Sequence, residues 1–248
     1  MKKNIIIMIV LVMLISIAGT AYADIPSGYY EGGMYINDPM SPETTLNFLN
    51  YFTYELNYPT IASDWTTSND SSPYGVDWYD FGYFCGHGYP FHIMMYPGDY
   101  VDLSTAGNSS NAGYGYFLKF LVLHSCQTVP SPIDVADPWT PWLGEPGGIF
   151  DGLHILCGFR TNAGKSSGLN IANHMGNLTF NHSNTVVNNW INAVDTYGNS
   201  DGTDEYCLMS AFRDGYLDNP TYDSWYDVYG VSMCVNTVDP NLWCIWSE

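Results

Sequence analysis

Two short strings close consecutive apolar runs: Tyr83-Phe84-Cys85-Gly86-His87-Gly88 and Phe120-Leu121-Val122-Leu123-His124-Ser125-Cys126. A cysteine sulfur becomes a strong nucleophile when a neighbouring base takes its proton, and imidazole titrates near neutral pH. The glycines on either side of His87 let the chain turn sharply and bring backbone N–H groups forward, as an oxyanion site requires. The pattern therefore fits attack by the Cys126 sulfur on a carbonyl, with His87 moving the proton and the N–H groups of Gly88 and Cys126 holding the oxyanion.

Each residue also has a plainer role open to it. Cys126 could be an inert buried thiol or half of a disulfide with Cys85. His87 could simply end a strand in a Gly-His-Gly turn. His124 shares a strand face with Cys126, so it is either a rival base or a core histidine. Cys85, His87, His92, His124 and Cys126 match none of the usual zinc-ligand spacings, so no metal and no cofactor is expected.

The elements that would position the pair are three apolar runs of seven or eight residues: Trp78 to Cys85, Phe117 to Leu123, and Leu153 to Phe159. They are short for helices, and the last two are almost continuously apolar, as parallel strands covered on both faces are. Catalytic groups of open parallel sheets collect beyond the carboxyl ends of the strands, where His87 and Cys126 both lie. Before these runs, residues 33–37 read as a strand, and Ser41-Pro42-Glu43 opens a helix over residues 42–57 with Leu46, Leu49, Phe52 and Leu56 at helical spacing. Residues 60–74, rich in Ser, Thr, Asn and Pro, read as an exposed loop.

After Thr161, Ser166 or Ser167 can cap a helix through Leu169, Ile171, Ala172 and Met175, and Asn184 another through Val187, Trp190, Ile191 and Val194. Residues 205–211 are a further strand candidate, and the tail from Trp225 to Trp246 alternates like an edge hairpin. The interleaving predicts an α/β sheet with helices on both faces.

At the His-Gly and Ser-Cys strings the sequence resembles the caspase-like cysteine peptidases, the group that includes caspases, metacaspases, gingipains and clostripain. Their signature is an apolar strand ending in His-Gly, then a second ending in a small residue followed by Cys. Ser125 stands here where alanine is usual, and Leu153-His154-Ile155-Leu156-Cys157-Gly158-Phe159-Arg160-Thr161 looks like the group's next strand, leading to a substrate loop. The resemblance covers roughly residues 78–197 and implies a caspase-like three-layer α-β-α sandwich with a mostly parallel central sheet and a C-terminal edge hairpin. It also implies peptide or protein substrates, with His87 and Cys126 catalytic and Arg160, Thr161 and Asn162 at the substrate rim. Arg160 could instead pair with one of the chain's acids, and Asp99, Asp102, Asp134, Asp137, Glu145 and Asp151 could select a basic side chain. Taken whole, the chain is also similar to an uncharacterised family of exported prokaryotic proteins built on this pattern.

Lys2 and Lys3, an apolar stretch from Ile5 to Ile17, and Ala21-Tyr22-Ala23 before Asp24 form the three parts of a signal peptide over residues 1–23. Residues 24–248 are then a single domain, secreted or at the cell surface, with an appendage at about 222–248 and no further membrane segment. Cleavage leaves four basic residues against 25 acids, which excludes nucleic acid as a partner because phosphate binding needs clustered cations. In an oxidising compartment the six cysteines can pair, and Cys234 with Cys244, flanking the turn-rich segment 236–241, is the bridge the sequence suggests. Tyr and Trp on Asn- and Gly-rich loops allow a second class of function, a catalytically silent domain that binds sugars or proteins at the surface.

Overall fold

The structure is a computed structural model that describes residues 26–31, 40–56, 61–65, 81–95, 99–104, 120–143, 149–150, 153–181, 184–199, 202–212 and 241–247. The expected signal peptide, the expected strand at 33–37, and Cys234 with most of the expected tail hairpin lie outside the described residues.

A seven-stranded sheet forms the centre, in the order β10-β9-β8-β7-β3-β1-β2. Its strands are β1 (Pro26–Glu31), β2 (Ile61–Trp65), β3 (Phe81–Cys85), β7 (Phe120–His124), β8 (Ile155–Phe159), β9 (Tyr206–Phe212) and β10 (Asn241–Trp246). From β2 across to β8 every neighbouring pair is parallel, whereas β9 runs antiparallel to both β8 and β10. The chain is thus an α/β protein with a mostly parallel sheet. The three apolar runs are its adjacent strands β3, β7 and β8, buried at every residue.

Strand alternation splits the core in two. Phe81, Tyr83, Phe120, Val122, Ile155, Cys157 and Phe159 face a layer of helices: α1 (Met40–Leu56), α3 (Lys165–Phe180) and α4 (Val186–Tyr197). Phe48 and Leu49 of α1, Ile171 and Met175 of α3, and Trp190 and Ala193 of α4 close that face. Their three- and four-residue spacing is the apolar stripe the sequence predicts.

The opposite face departs from the expected second helical layer. Among the described residues its cover is the small antiparallel sheet β4 (Gly88–Tyr89), β5 (His92–Met95) and β6 (Asp99–Asp102), the four-residue helix α2 (Thr140–Leu143), and the turns around them. Ile93, Leu103, Val129, Trp142, Ile149 and Phe150 pack there against Phe84, Leu121, Leu123, Leu156 and Met209. Residues 61–65, expected to be loop, are edge strand β2, because parallel pairing with β1 supplies backbone partners that the polar sequence does not advertise.

Candidate functional site

Cys85 of β3 pairs with His124 of β7 in the parallel register, and the Gly86 N–H donates to the His124 carbonyl at 3.3 Å. His87 and Cys126 each follow that pair by two residues, just beyond the carboxyl ends of the two adjacent parallel strands. Adjacent strands lie about 4.8 Å apart, so the two reach the same rim of the sheet.

The turns that carry them are locked together. A side chain at Gly88 would bring its Cβ within 2.3 Å of Thr128 Oγ1 and 3.0 Å of Ser125, so only glycine allows the two loops to meet this closely. The Phe91 N–H donates to the Thr128 carbonyl at 3.2 Å and the Met94 N–H to the His87 carbonyl at 2.9 Å. On the other side, Gln127 and Val129 donate to the carbonyls of Thr161 and Phe159 at 2.8 and 3.2 Å. Gly158 leaves room for this second contact, since a Cβ there would lie 2.5 Å from Val129 Cγ2.

Gln127 at φ 56° and Phe91 at φ 65° both hold the left-handed backbone that side chains disfavour. Strain of about 1–3 kcal/mol per residue persists only where surroundings over-determine it, and here hydrogen bonds fix both turns. Ser125, the departure from alanine, is fully buried and its hydroxyl bonds that of Thr128, which in turn donates to the Cys126 carbonyl at 3.3 Å. The serine thus ties the cysteine turn from within.

Cys126 is half-buried and not in a disulfide, so no bridge to Cys85 forms. Its Sγ accepts a hydrogen bond from the Ala163 N–H at 3.4 Å, at the entry to α3. That entry is held by Asp204, a buried aspartate at φ 62° whose carboxylate accepts from the N–H groups of Gly164 and Asn199 and from the Ser167 hydroxyl. The helix is therefore capped from another part of the chain, and Ser166 and Ser167 do not serve as the expected N-cap. Asp204 gave no sequence signal, because it sits in the polar string Ser200-Asp201-Gly202-Thr203-Asp204 where no periodicity singles it out.

His124 is a core histidine. It is 4% exposed, shares a hydrogen bond of 2.8 Å between Nδ1 and the Tyr83 hydroxyl, and lies edge-on to Phe159 and Trp190. Burial pulls its pKa down to about 4, against a smaller opposing pull from Asp204, so the ring is neutral at pH 7.

Arg160 is committed within the protein. Its guanidinium donates to both carboxylate oxygens of Asp134, at 2.7 and 3.0 Å, and to Glu205. Burial opposes ionisation of Asp134, but hydrogen bonds from Arg160 and Ser131 outweigh it and hold its carboxyl below the usual range. This geometry suits a brace between loops better than the substrate contact the resemblance implies. Thr161 has a similar bracing part: its carbonyl accepts from Gln127 and its hydroxyl from the Glu205 N–H at 3.0 Å. Asn162, of the same loop, is exposed.

Beside His87, Tyr89 stacks on His92 with centroids 4.3 Å apart, and Tyr100 lies edge-on to both. The His92 Nδ1–H donates to the Pro90 carbonyl at 2.7 Å, leaving Nε2 3.8 Å from Asp102. Among the described residues no group of three His, Cys, Asp or Glu side chains converges as metal ligands would, and no helix is long and apolar enough to cross a membrane.

Fold and site together define an α/β domain whose strand-end histidine and cysteine share one rim of a parallel sheet. Residues 44–248 match DUF6345, a domain of unknown function, and the chain belongs to that family. The matched span contains every candidate residue named above. No curated protein matches the chain.

Proposed function

We propose that this chain is an exported cysteine peptidase on a caspase-like fold, hydrolysing peptide bonds through Cys126 and His87. The observation that carries the reading is the register: Cys85 opposite His124 puts His87 and Cys126 at equal offsets on adjacent parallel strands. In the first step His87 takes the thiol proton as the Cys126 sulfur bonds to the substrate carbonyl carbon. The N–H groups of Gly88 and Cys126 stabilise the oxyanion, and collapse expels the amine, which leaves with the proton from His87. Water then attacks the thioester, releasing the carboxylic acid and restoring the thiol. The Ala163 N–H holds the sulfur toward the loop of residues 160–163, where exposed Asn162 is the side chain best placed to meet a peptide.

The test is labelling by an electrophilic peptidyl thiol probe under reducing conditions, beside a peptide-library screen. Cys126 is expected to be the fastest-labelled cysteine, since Cys85, Cys157 and Cys207 are buried. His87→Ala should slow labelling by about 10²-fold, the lower end of what a positioned base contributes. An unlabelled Cys126, with Cys244 reacting normally, would overturn the reading.

The stack of Tyr89, His92 and Tyr100, with its two tyrosines exposed, favours a second reading, a silent domain that binds ligands on this aromatic face. Ligand capture lost in Tyr100→Ala but unaffected by Cys126→Ala, with no peptide turnover, would select it.

A further inference from the structure

On β9 and β10, Cys207 and Cys244 bring their sulfurs to 3.3 Å. In the antiparallel register Cys207 lies opposite Trp246, so Cys244, two residues back along β10, is its diagonal neighbour on the same face. Both side chains point to the loop-covered face of the sheet, with Leu242 and Trp246 packed beside them. Diagonal neighbours do not meet unless their side chains turn toward one another, and these two have done so. Closing the gap to the sulfur–sulfur bond length of about 2.05 Å requires only a small shift.

We propose that Cys207 and Cys244 are a disulfide-forming site that joins the edge strand β10 to β9. Cys207 is fully buried, and its hydrogen bond with Cys244, followed by burial itself, pushes its pKa well up. Cys244 is half-buried and therefore makes the first attack. Its thiolate displaces one thiolate from a small-molecule or protein disulfide, giving a mixed disulfide on Cys244. The Cys207 sulfur, giving up its proton, then attacks the Cys244 sulfur and expels the second thiolate. Two cysteine thiols and one external disulfide become one internal disulfide and two external thiols, the external disulfide being the oxidant.

The site has consequences for its neighbours. The Tyr206 N–H donates to the Ser247 hydroxyl at 2.9 Å and the Ser247 N–H to the Tyr206 carbonyl at 3.1 Å, so the residue that follows β10 already holds the residue next to Glu205. Glu205 in turn pairs with Arg160. A bridge at 207–244 therefore stiffens the edge behind the Arg160 brace, and it leaves Cys126 as the accessible thiol among the described cysteines.

The experiment treats the full reduced chain with glutathione disulfide, quenches with acid, digests with pepsin and maps linked peptides by mass spectrometry. The expected product is a peptide pair joined at Cys207 and Cys244, two hydrogens lighter than the separate thiol peptides and lost on reduction. Alkylation of Cys244 should fall about tenfold or more, in line with thiol–disulfide exchange running to completion in excess oxidant. The linkage should persist in Cys234→Ser. Linkage of Cys244 to Cys234 or any other cysteine, loss of the product in Cys234→Ser, or full alkylation of both thiols after oxidation would each overturn the proposal. Labelling of Cys126 in the same digest bears only on the peptidase reading.

Discussion

The two faces of the central sheet are closed by different means. One is sealed by α1, α3 and α4, whose apolar stripes pack on alternate residues of β3, β7 and β8. Among the described residues, the other is closed by a small sheet, a single helical turn and irregular chain, held by particular hydrogen bonds such as Phe91 to Thr128, Leu103 to Phe91 and Val129 to Phe159. Burial is equally complete on both sides, with Trp190 under the helices and Trp142 under the loops each fully enclosed. The difference lies in what specifies each cover: periodic hydrophobicity on one side, single backbone contacts on the other. A helix can absorb a changed side chain without losing its course, but a loop fixed by one N–H moves when that bond goes.

The sharpest way to break this comparison is to empty each face in turn. Trp190→Ala is expected to destabilise by about 3–5 kcal/mol in urea denaturation, because the rigid helical layer cannot fill the space. Trp142→Ala is expected nearer the lower end, about 3 kcal/mol, since the loops can settle inward. Equal losses would mean the two covers behave alike.

The helical face also carries a pH dependence. Burial lowers the His124 pKa to about 4, so below its unfolded value near 6.5 the unfolded chain binds a proton that the folded chain does not. That contribution to stability is fully present above about pH 6.5 and declines by roughly 3 kcal/mol as pH falls to about 4. Denaturation measured across this range should show the slope, and His124→Asn should flatten it.

Asp204→Asn probes the junction between the faces. Asparagine tolerates the left-handed backbone but loses the anionic acceptor for Gly164, Ser167 and Asn199, so a loss of about 1–2 kcal/mol is expected. Cys126 labelling should fall with it as Ala163 shifts, whereas unchanged labelling would uncouple the helix entry from the sulfur. Glu205→Gln should matter least, under about 1 kcal/mol by thermal melting, because part-exposed ion pairs contribute little and Arg160 keeps Asp134.

These contrasts explain what could be read from the chain alone. The helix expected at 42–57 forms at 40–56, and the three apolar runs became adjacent strands, because burial on a repeating period writes itself into composition. Strand β2 carries no such period, because Ile61-Ala62-Ser63-Asp64-Trp65 lies in a polar stretch at the sheet edge. The small sheet leaves no pattern either, because strands of two to four residues are shorter than any detectable alternation. His87 and Cys126 are legible through their strands, whereas Asp204 and the Ala163 N–H depend on contacts between distant segments, and Ser125 with Thr128 on a local turn that carries no periodicity. Arg160 was visible as a rare cation, but its partners, 26 and 45 residues away in sequence, were not.

The shared offset of His87 and Cys126 also dictates where length can vary. β3 ends at Cys85 and β7 at His124, so one residue added at Gly86 or at Ser125 would displace the histidine or the cysteine along the rim while leaving its partner in place. The connections after these turns can lengthen at slight entropic penalty. The one-residue spacers Gly86 and Ser125 are therefore the fixed gauge, and tolerance for insertion belongs to connections away from the strands and the locked turns.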